Sequence, residues 1–267
     1  MKKNVVLAVL AMIVTPSAST LLAPPATAPP ASITRPPGQY LLFDPAGQGR
    51  VAQVFGDLDT ARRIAVLVPG MSNRLANFWR GVGGRNYRSP ATQAANLRQA
   101  MGPGEHAVIA WLGYDTPQTM RQAGRQELAA TGADNLVAFV GELAAAHPNA
   151  TITLLGHSYG STVIGLAASR LPARVTDIAV FGSPGMGVDR VAELGTSARV
   201  WAGQSAGDWV RWVPGIRWFG IGHGTKPADP AFGARLFATA DVDDHDHYLA
   251  PGTDSLAALA RIAGGTP

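Results

Sequence analysis

The 267-residue chain contains no cysteine. That absence excludes disulfides, a lipidated cysteine behind an export signal, thiol nucleophiles and thiolate metal sites, so the folded chain has to be held by its core. Charge is sparse: 15% of residues are charged against 46% hydrophobic, the balance of a folded globule and not of a disordered chain. No basic block is present. The formal charge is +4, but the basic residues, 19 of them arginine, are scattered through Arg35, Arg50, Arg98, Arg170 and Arg261, so a nucleic-acid partner is not expected. Val5 to Val14 is apolar throughout, yet ten residues are too few to span a bilayer. No internal repeat of roughly 20 to 50 residues is visible.

What is present at the N terminus reads as an export signal: Lys2 and Lys3, the apolar run, then small and polar residues with a cleavage site at Ser17-Ala18-Ser19. Residues 1–19 are therefore expected to be a signal peptide, and 20–38, which include APPATAPPASITRPPG, a Pro/Ala-rich linker unable to pack a core. Residues 39–267 form the expected folded domain. Such a chain would be secreted or held at the cell envelope, with peripheral association there.

Beyond Gln39, short apolar runs alternate with Ala-rich stretches of helical spacing. The runs are Ile64 to Val68, Ala107 to Trp111, Thr151 to Leu155, Ile178 to Phe181, Arg199 to Trp201 and Arg235 to Ala238; the helical stretches are Ala91 to Met101, Asp134 to His147, Ser161 to Arg170 and Asp254 to Ile262. The alternation predicts a mostly parallel, doubly wound α/β sheet with helices on both faces. Tyr40 to Phe43 and Arg50 to Phe55, separated by DPAGQG, predict an edge hairpin.

Gly-x-Ser-x-Gly occurs twice, as GHSYG around Ser158 and GQSAG around Ser205. A nucleophilic serine on this motif needs a strand before it, a helix after it and small flanks, because the turn is sharp and any nearby Cβ clashes. Ser158 meets all three conditions. Ser205 follows a strand, but DWVRWVPGIRWFGIG after it is broken by Pro214 and glycines and does not read as a helix. GQSAG is therefore expected to be a loop.

A serine hydroxyl becomes nucleophilic when a histidine removes its proton, and that imidazole needs a carboxylate to fix its tautomer. In a sheet of this type the order is serine, acid, histidine, on loops after successive strands. Asp208 is the only carboxylate between Gly195 and Pro227 and follows the Arg199 to Trp201 strand; Asp189, after the preceding strand, is the reserve. His245 and His247 both follow the last strand and either can be the base. Asp243, Asp244 and Asp246 raise a rival cation site, but their spacing fits no metal-binding loop, so neither metal nor cofactor is expected. Backbone N–H groups of Tyr159, directly after the serine, and of Met71, in the loop VLVPGMSN, are the candidate oxyanion donors.

With VLVPGMSN, WLGYDTP, LLGHSYGS, FGSPGMGVDR, HGTKPADPAFGARLF and HDHYLAPGTDSLAALARIAGG assembled, the chain from about Ala61 onward resembles the α/β-hydrolase superfamily, and within it an actinobacterial group catalogued as a domain of unknown function. The resemblance implies an α/β-hydrolase fold and a serine hydrolase with Ser158 as nucleophile and Asp208 as acid. Tyr248 in HDHYL sets the register of the family segment, which places His245 at the family histidine; Asp246 departs from the serine usual there.

Four tryptophans, Trp201, Trp209, Trp212 and Trp218, with Phe219, fall between the last two strands. They are expected either to wall the site for an acyl or aromatic group or to dock the connection on the domain. The expected activity is cleavage of a small-molecule or lipid-like carboxylic ester through an acyl-enzyme, an esterase or lipase-like reaction. Acyl transfer, peptide cleavage and a non-catalytic cell-envelope binding protein remain the alternatives. Serine in place of aspartate at the turn disfavours dehalogenase and epoxide-hydrolase chemistry.

Overall fold

Strands apolar on every residue have to be covered on two faces, and this chain covers them with helices on either side of a mostly parallel sheet. The computed structural model describes residues 35–218 and 221–266. The expected signal segment and most of the expected linker lie outside the described residues, as does Phe219. In chain order the elements are β1 Gln39–Asp44, β2 Arg50–Gly56, β3 Arg63–Val68, α1 Pro90–Ala100, β4 His106–Leu112, α2 Met120–Ala123, α3 Glu127–Ala146 and β5 Thr151–His157. They continue with α4 Gly160–Ala167, β6 Val175–Phe181, β7 Arg199–Gly203, β8 Arg217–Trp218, β9 Ile221–Gly222, β10 Arg235–Leu236 and α5 Asp254–Gly264.

Eight strands make one sheet in the order β1-β2-β4-β3-β5-β6-β7-β10, and β8 pairs with β9 as a separate hairpin. The edge hairpin β1–β2 is antiparallel, as DPAGQG predicts, and β2 is antiparallel to β4. From β4 through β10 every neighbouring pair is parallel.

The connectivity decides where the site lies. From β3 the chain crosses to β4 on one side, then returns past β3 to β5 on the other. Right-handed crossovers running in opposite directions put α1 and α3 on opposite faces of the sheet. The core divides accordingly: Leu136, Val140 and Val163 pack with Val66 and Leu154 on one face, while Leu97, Leu256 and Leu259 pack with Leu67 and Leu155 on the other. Each such fully buried aliphatic side chain contributes roughly 1.5–3 kcal/mol. Loops leaving β3 and β5 diverge at the reversal and open a crevice at the carboxyl ends of those strands, the position where open α/β sheets bind ligands.

Local signals set the helix ends. Ser89 caps α1 by accepting from the Thr92 N–H at 3.1 Å, with Pro90 at the first helical position, and Thr253 caps α5 by accepting from the Leu256 N–H at 3.2 Å. The structure departs from the pattern in three places. α3 begins at Glu127, ahead of Asp134, because its first turns are held by tertiary contact: the Ala129 N–H donates to the Tyr159 hydroxyl at 3.0 Å, and Gly132 lies against the Tyr114 ring. The third helical stretch gives way to a 3-10 turn at Ala168–Arg170. β10 pairs over Arg235 and Leu236 alone, shorter than the expected run to Ala238.

Candidate active site

The turn between β5 and α4 holds Ser158 at a φ of 53°, and Ser72, at 69°, is the only other non-glycine residue with positive φ among the described residues. This conformation costs an L residue about 1–2 kcal/mol and persists only where the surroundings impose it. Here the Ser158 N–H donates to the Phe181 carbonyl at the end of β6 at 3.0 Å, and the Ser158 carbonyl accepts from the Ser161 N–H at 3.0 Å and from the Ser161 hydroxyl. The flanking glycines are required by close approach: a Cβ on Gly160 would lie 2.2 Å from the Val68 carbonyl oxygen, and one on Gly156 2.9 Å from Ser161 Cα.

The loop after β3 lies directly against this serine. A Cβ on Gly70 would meet Ser158 Cβ at 2.6 Å and Ser158 Oγ at 3.1 Å. The loop is fixed from outside by the segment after β4, WLGYDTP: the Tyr114 hydroxyl donates to the Pro69 carbonyl at 2.7 Å, the Thr116 hydroxyl to the Asn73 carbonyl at 2.6 Å, and the Ser72 N–H to the Pro117 carbonyl at 2.8 Å. Asn73 fixes it from inside, donating to the Gly70 carbonyl at 3.0 Å. The backbone N–H groups of Met71 and Tyr159 donate to no group among the described residues, and both residues line the cavity beside Ser158. The Tyr159 ring serves the scaffold: its hydroxyl donates to the Arg125 carbonyl at 2.7 Å, and burial pushes its pKa up to about 12.

Asp208 and His245 come together from the loops after β7 and β10. His245 Nδ1 lies 2.9 Å from Asp208 Oδ1. Since an ionised carboxylate only accepts, Nδ1 carries a proton, and in the neutral imidazole this tautomer leaves the lone pair on Nε2. Asp208 is wholly buried, yet ionised: burial raises its pKa, but the hydrogen bond and charge of His245, the Val210 N–H at 2.8 Å and the Tyr248 hydroxyl at 2.8 Å outweigh it and hold the group at about 2. Tyr248 is itself pushed well above the ordinary tyrosine range by burial and the Asp208 charge, so it donates and stays neutral.

Four further residues shape this pair, none of which the pattern of the sequence singles out for it. Tyr248 holds the second carboxylate oxygen. His157 is buried, its Nε2–H donates to the His245 carbonyl at 2.8 Å, and its ring lies 4.7 Å from that of His245; burial and then the His245 charge depress its pKa to about 4, so it is neutral. Gly182, with φ 56°, leaves room for the pair: a Cβ there would be 2.9 Å from Asp208 Oδ2 and 3.0 Å from His245 Nδ1. Arg88 ion-pairs with Asp246 at 2.8 Å, which offsets the extra negative charge beside His245. The signals that could have found them are His157 inside the elbow and Tyr248 in HDHYL; Gly182 and Arg88 carry none.

The reserve candidates are engaged elsewhere. Asp189 accepts from the Thr225 N–H at 3.1 Å and pairs with Arg217 at 3.6 Å, and His247 bonds Asp243 Oδ1 at 2.5 Å with its ring 4.4 Å from that of Tyr87. Ser205 is buried and structural: its N–H donates to the Tyr248 hydroxyl at 2.9 Å and its hydroxyl donates to the Val242 carbonyl. Of the four tryptophans, Trp201 is turned to scaffold, donating to Asp177 Oδ1 at 2.8 Å, whereas Trp209 lines the cavity 5.3 Å from the His245 ring.

Ser158 and His245 line one cavity of roughly 430 Å³, walled by Val82, Met120, Pro184, Val213, Ile216 and Ile221. The Ser158 hydroxyl hydrogen-bonds to no group among the described residues and lies toward Gly70. The His245–Asp208 hydrogen bond is thus made in this structure, and no hydrogen bond joins Ser158 to His245.

Comparison with known proteins agrees with the architecture. The chain is 29% identical over 262 residues to an uncharacterized protein of Mycobacterium tuberculosis, covering 86% of this chain and 39% of that one, so it spans about two fifths of that relative's length. It is 31% identical over 242 residues to an uncharacterized protein of Mycobacterium bovis, covering 86% and 80% respectively. Among solved structures, a carboxylesterase from Mesorhizobium loti superposes with a TM-score of 0.52 at 18% identity, over 84% of this chain and 98% of that one, a likeness of fold. An alpha/beta hydrolase family model matches residues 44–217, which run from the end of β1 through Ser158 and Asp208. With its sheet order, its strained serine turn and this match, the chain belongs to the alpha/beta hydrolase family.

Proposed function

We propose that the protein is an exported serine hydrolase that cleaves carboxylic esters through an acyl-enzyme. The observation that carries the reading is the His245–Asp208 hydrogen bond, made by a histidine that lines one cavity with the strained Ser158. In this reading His245 Nε2 takes the Ser158 proton as Oγ bonds to the ester carbonyl carbon. The carbonyl π electrons move to oxygen, and the anion is held by the Met71 and Tyr159 N–H groups, each worth about 3–4 kcal/mol of barrier. The imidazolium is stabilised by Asp208 and returns its proton to the leaving alkoxide as the carbon–oxygen bond breaks. Water, deprotonated by the same imidazole, then bonds to the acyl carbon, and the imidazolium returns that proton to Ser158 Oγ as the acyl–Oγ bond breaks and the acid is released. Every proton transfer is made by these groups, and no step needs a cofactor.

The apolar wall of the cavity supports an acyl chain or aromatic group as the part of the ester bound there. Hydrolysis of p-nitrophenyl esters of graded acyl length tests the reading: release of nitrophenol by the native chain, and none by Ser158→Ala with its fold retained, supports it. Turnover that survives the substitution contradicts it.

A further inference from the structure

Exposed large apolar side chains are concentrated in one place. Among the described residues they are Leu41, Met120, Trp209, Trp212, Ile216, Trp218, Ile221 and Leu236, and five of these fall in the single segment from Trp209 to Lys226. The fractional exposures are large, 76% for Trp212, 72% for Trp218 and 64% for Ile216. The same segment has three cations, Arg211, Arg217 and Lys226, and no Asp or Glu. Arg211 lies over the Trp212 ring with its guanidinium carbon 4.6 Å from the centroid; Arg211 donates to the Ala206 carbonyl and Lys226 to the Arg211 carbonyl, and neither has a carboxylate partner among the described residues. Trp209, Ile216 and Ile221 also line the cavity that holds Ser158. The segment is tied to the domain at the cavity rim: the Gly222 N–H donates to the Gly124 carbonyl at 2.8 Å and Ile221 bridges to Arg125.

Large apolar side chains exposed together in one short stretch, three of them at the rim of one cavity, are costly in water unless something covers them. A folded protein surface could bury tryptophan and isoleucine. The interleaving of tryptophan with basic residues, of which Arg217 alone meets a carboxylate, Asp189, matches more closely the headgroup boundary of an anionic lipid layer, where the ring sits at the interface and the cation meets phosphate. We infer that residues 209–218 and 221–226 dock the protein on anionic lipid surfaces, with the mouth of the Ser158 cavity turned toward the layer, so that ester substrates are drawn from lipid. The substrate part of this inference rests on the hydrolase reading; the docking part does not.

Co-sedimentation with sucrose-loaded vesicles of phosphatidylcholine alone, and of phosphatidylcholine with phosphatidylglycerol, separates the possibilities. The full chain in the Ser158→Ala background is used, so that no turnover is needed. The native segment is expected to bind the anionic vesicles at least roughly tenfold more tightly at low salt, from the two cations that have no carboxylate partner, each worth several-fold. Arg211→Glu with Lys226→Glu should remove that preference. Trp212→Ser with Ile216→Ser should weaken binding to anionic vesicles at least roughly tenfold with the thermal transition unchanged. Any binding contributed by the N-terminal residues is common to all variants, so the differences decide. Equal binding by all variants, or no binding to either vesicle, overturns the docking, including the case in which the patch serves a protein partner instead. Reaction of the native serine with a phosphonate in the absence of vesicle binding would overturn the docking and leave the hydrolase reading standing.

Discussion

The two Gly-x-Ser-x-Gly stretches have the same pattern and opposite fates. Ser158 joins a strand to a helix, is bent to a φ of 53°, and its hydroxyl is bonded to nothing among the described residues. Ser205 joins β7 to a 3-10 turn, is buried, and its hydroxyl is engaged by the Val242 carbonyl and by the Gly207 N–H at 2.9 Å. One serine is held in strain with a free oxygen, and the other is unstrained with its oxygen committed. The pentapeptide permits a sharp turn; whether that turn presents a nucleophile depends on the element immediately downstream and on which groups reach its hydroxyl. GQSAG has a second use, since through Ser205 it ties the Asp208 loop to the loop that carries His245 and Tyr248.

Substitutions at the two serines should therefore separate activity from stability. The largest effect is expected for Ser158→Ala, a loss of turnover of roughly 10⁴-fold or more with the melting temperature unchanged or raised, because in the proposed reaction this hydroxyl is the nucleophile and it makes no hydrogen bond among the described residues. Asp208→Asn comes next: an amide in that place can present its NH₂ to Nδ1 and select the wrong tautomer, so kcat should fall by up to on the order of 10⁴-fold, less than on loss of the serine, read in the same ester assay. Ser205→Ala should invert the pattern. It leaves the Val242 carbonyl and the Gly207 N–H without partners in a buried place, so denaturant titration should show a loss of about 1–3 kcal/mol while kcat falls less than roughly tenfold.

The smallest effect is on the pH dependence of stability. His157 titrates at about 4 in the folded chain against 6.5 in the unfolded one, so between those values the unfolded state binds the proton and the folded state does not. Stability from this group is full above pH 6.5 and is lost as the pH falls toward 4. His223, whose pKa burial also lowers, acts in the same direction, and Asp208 adds to the loss only in more acid solution, between 3.8 and about 2. His157→Gln should flatten the upper part of that slope in thermal melts taken from pH 4 to 7; an unchanged slope would show that burial of this imidazole is not what opposes its protonation.

Much of this was legible along the chain because it is local. Apolar runs such as Ile64 to Val68 and Thr151 to Leu155 appear as strands, extended by one or two residues, and the glycines flanking Ser158 state the turn outright. The order of elements also restricted the acid to Asp208 or Asp189 and the histidine to His245 or His247. What was not legible is long-range. The Tyr248 hydroxyl on Asp208 spans 40 residues, His157 on the His245 carbonyl spans 88, and the Tyr114 hydroxyl on Pro69 spans 45. No periodicity encodes such pairs. Trp201 shows the same limit in reverse: grouped with the other tryptophans by sequence, it is drawn into the scaffold by the buried Asp177, which Arg199 also pairs at 2.8 Å.

The most direct measurement of the central claim is mass-spectrometric mapping of the adduct formed with a fluorophosphonate. The account predicts a single modified residue, Ser158, with labelling abolished by His245→Ala or Ser158→Ala and retained in His247→Ala. An adduct on Ser205, or labelling that persists without Ser158, would contradict it.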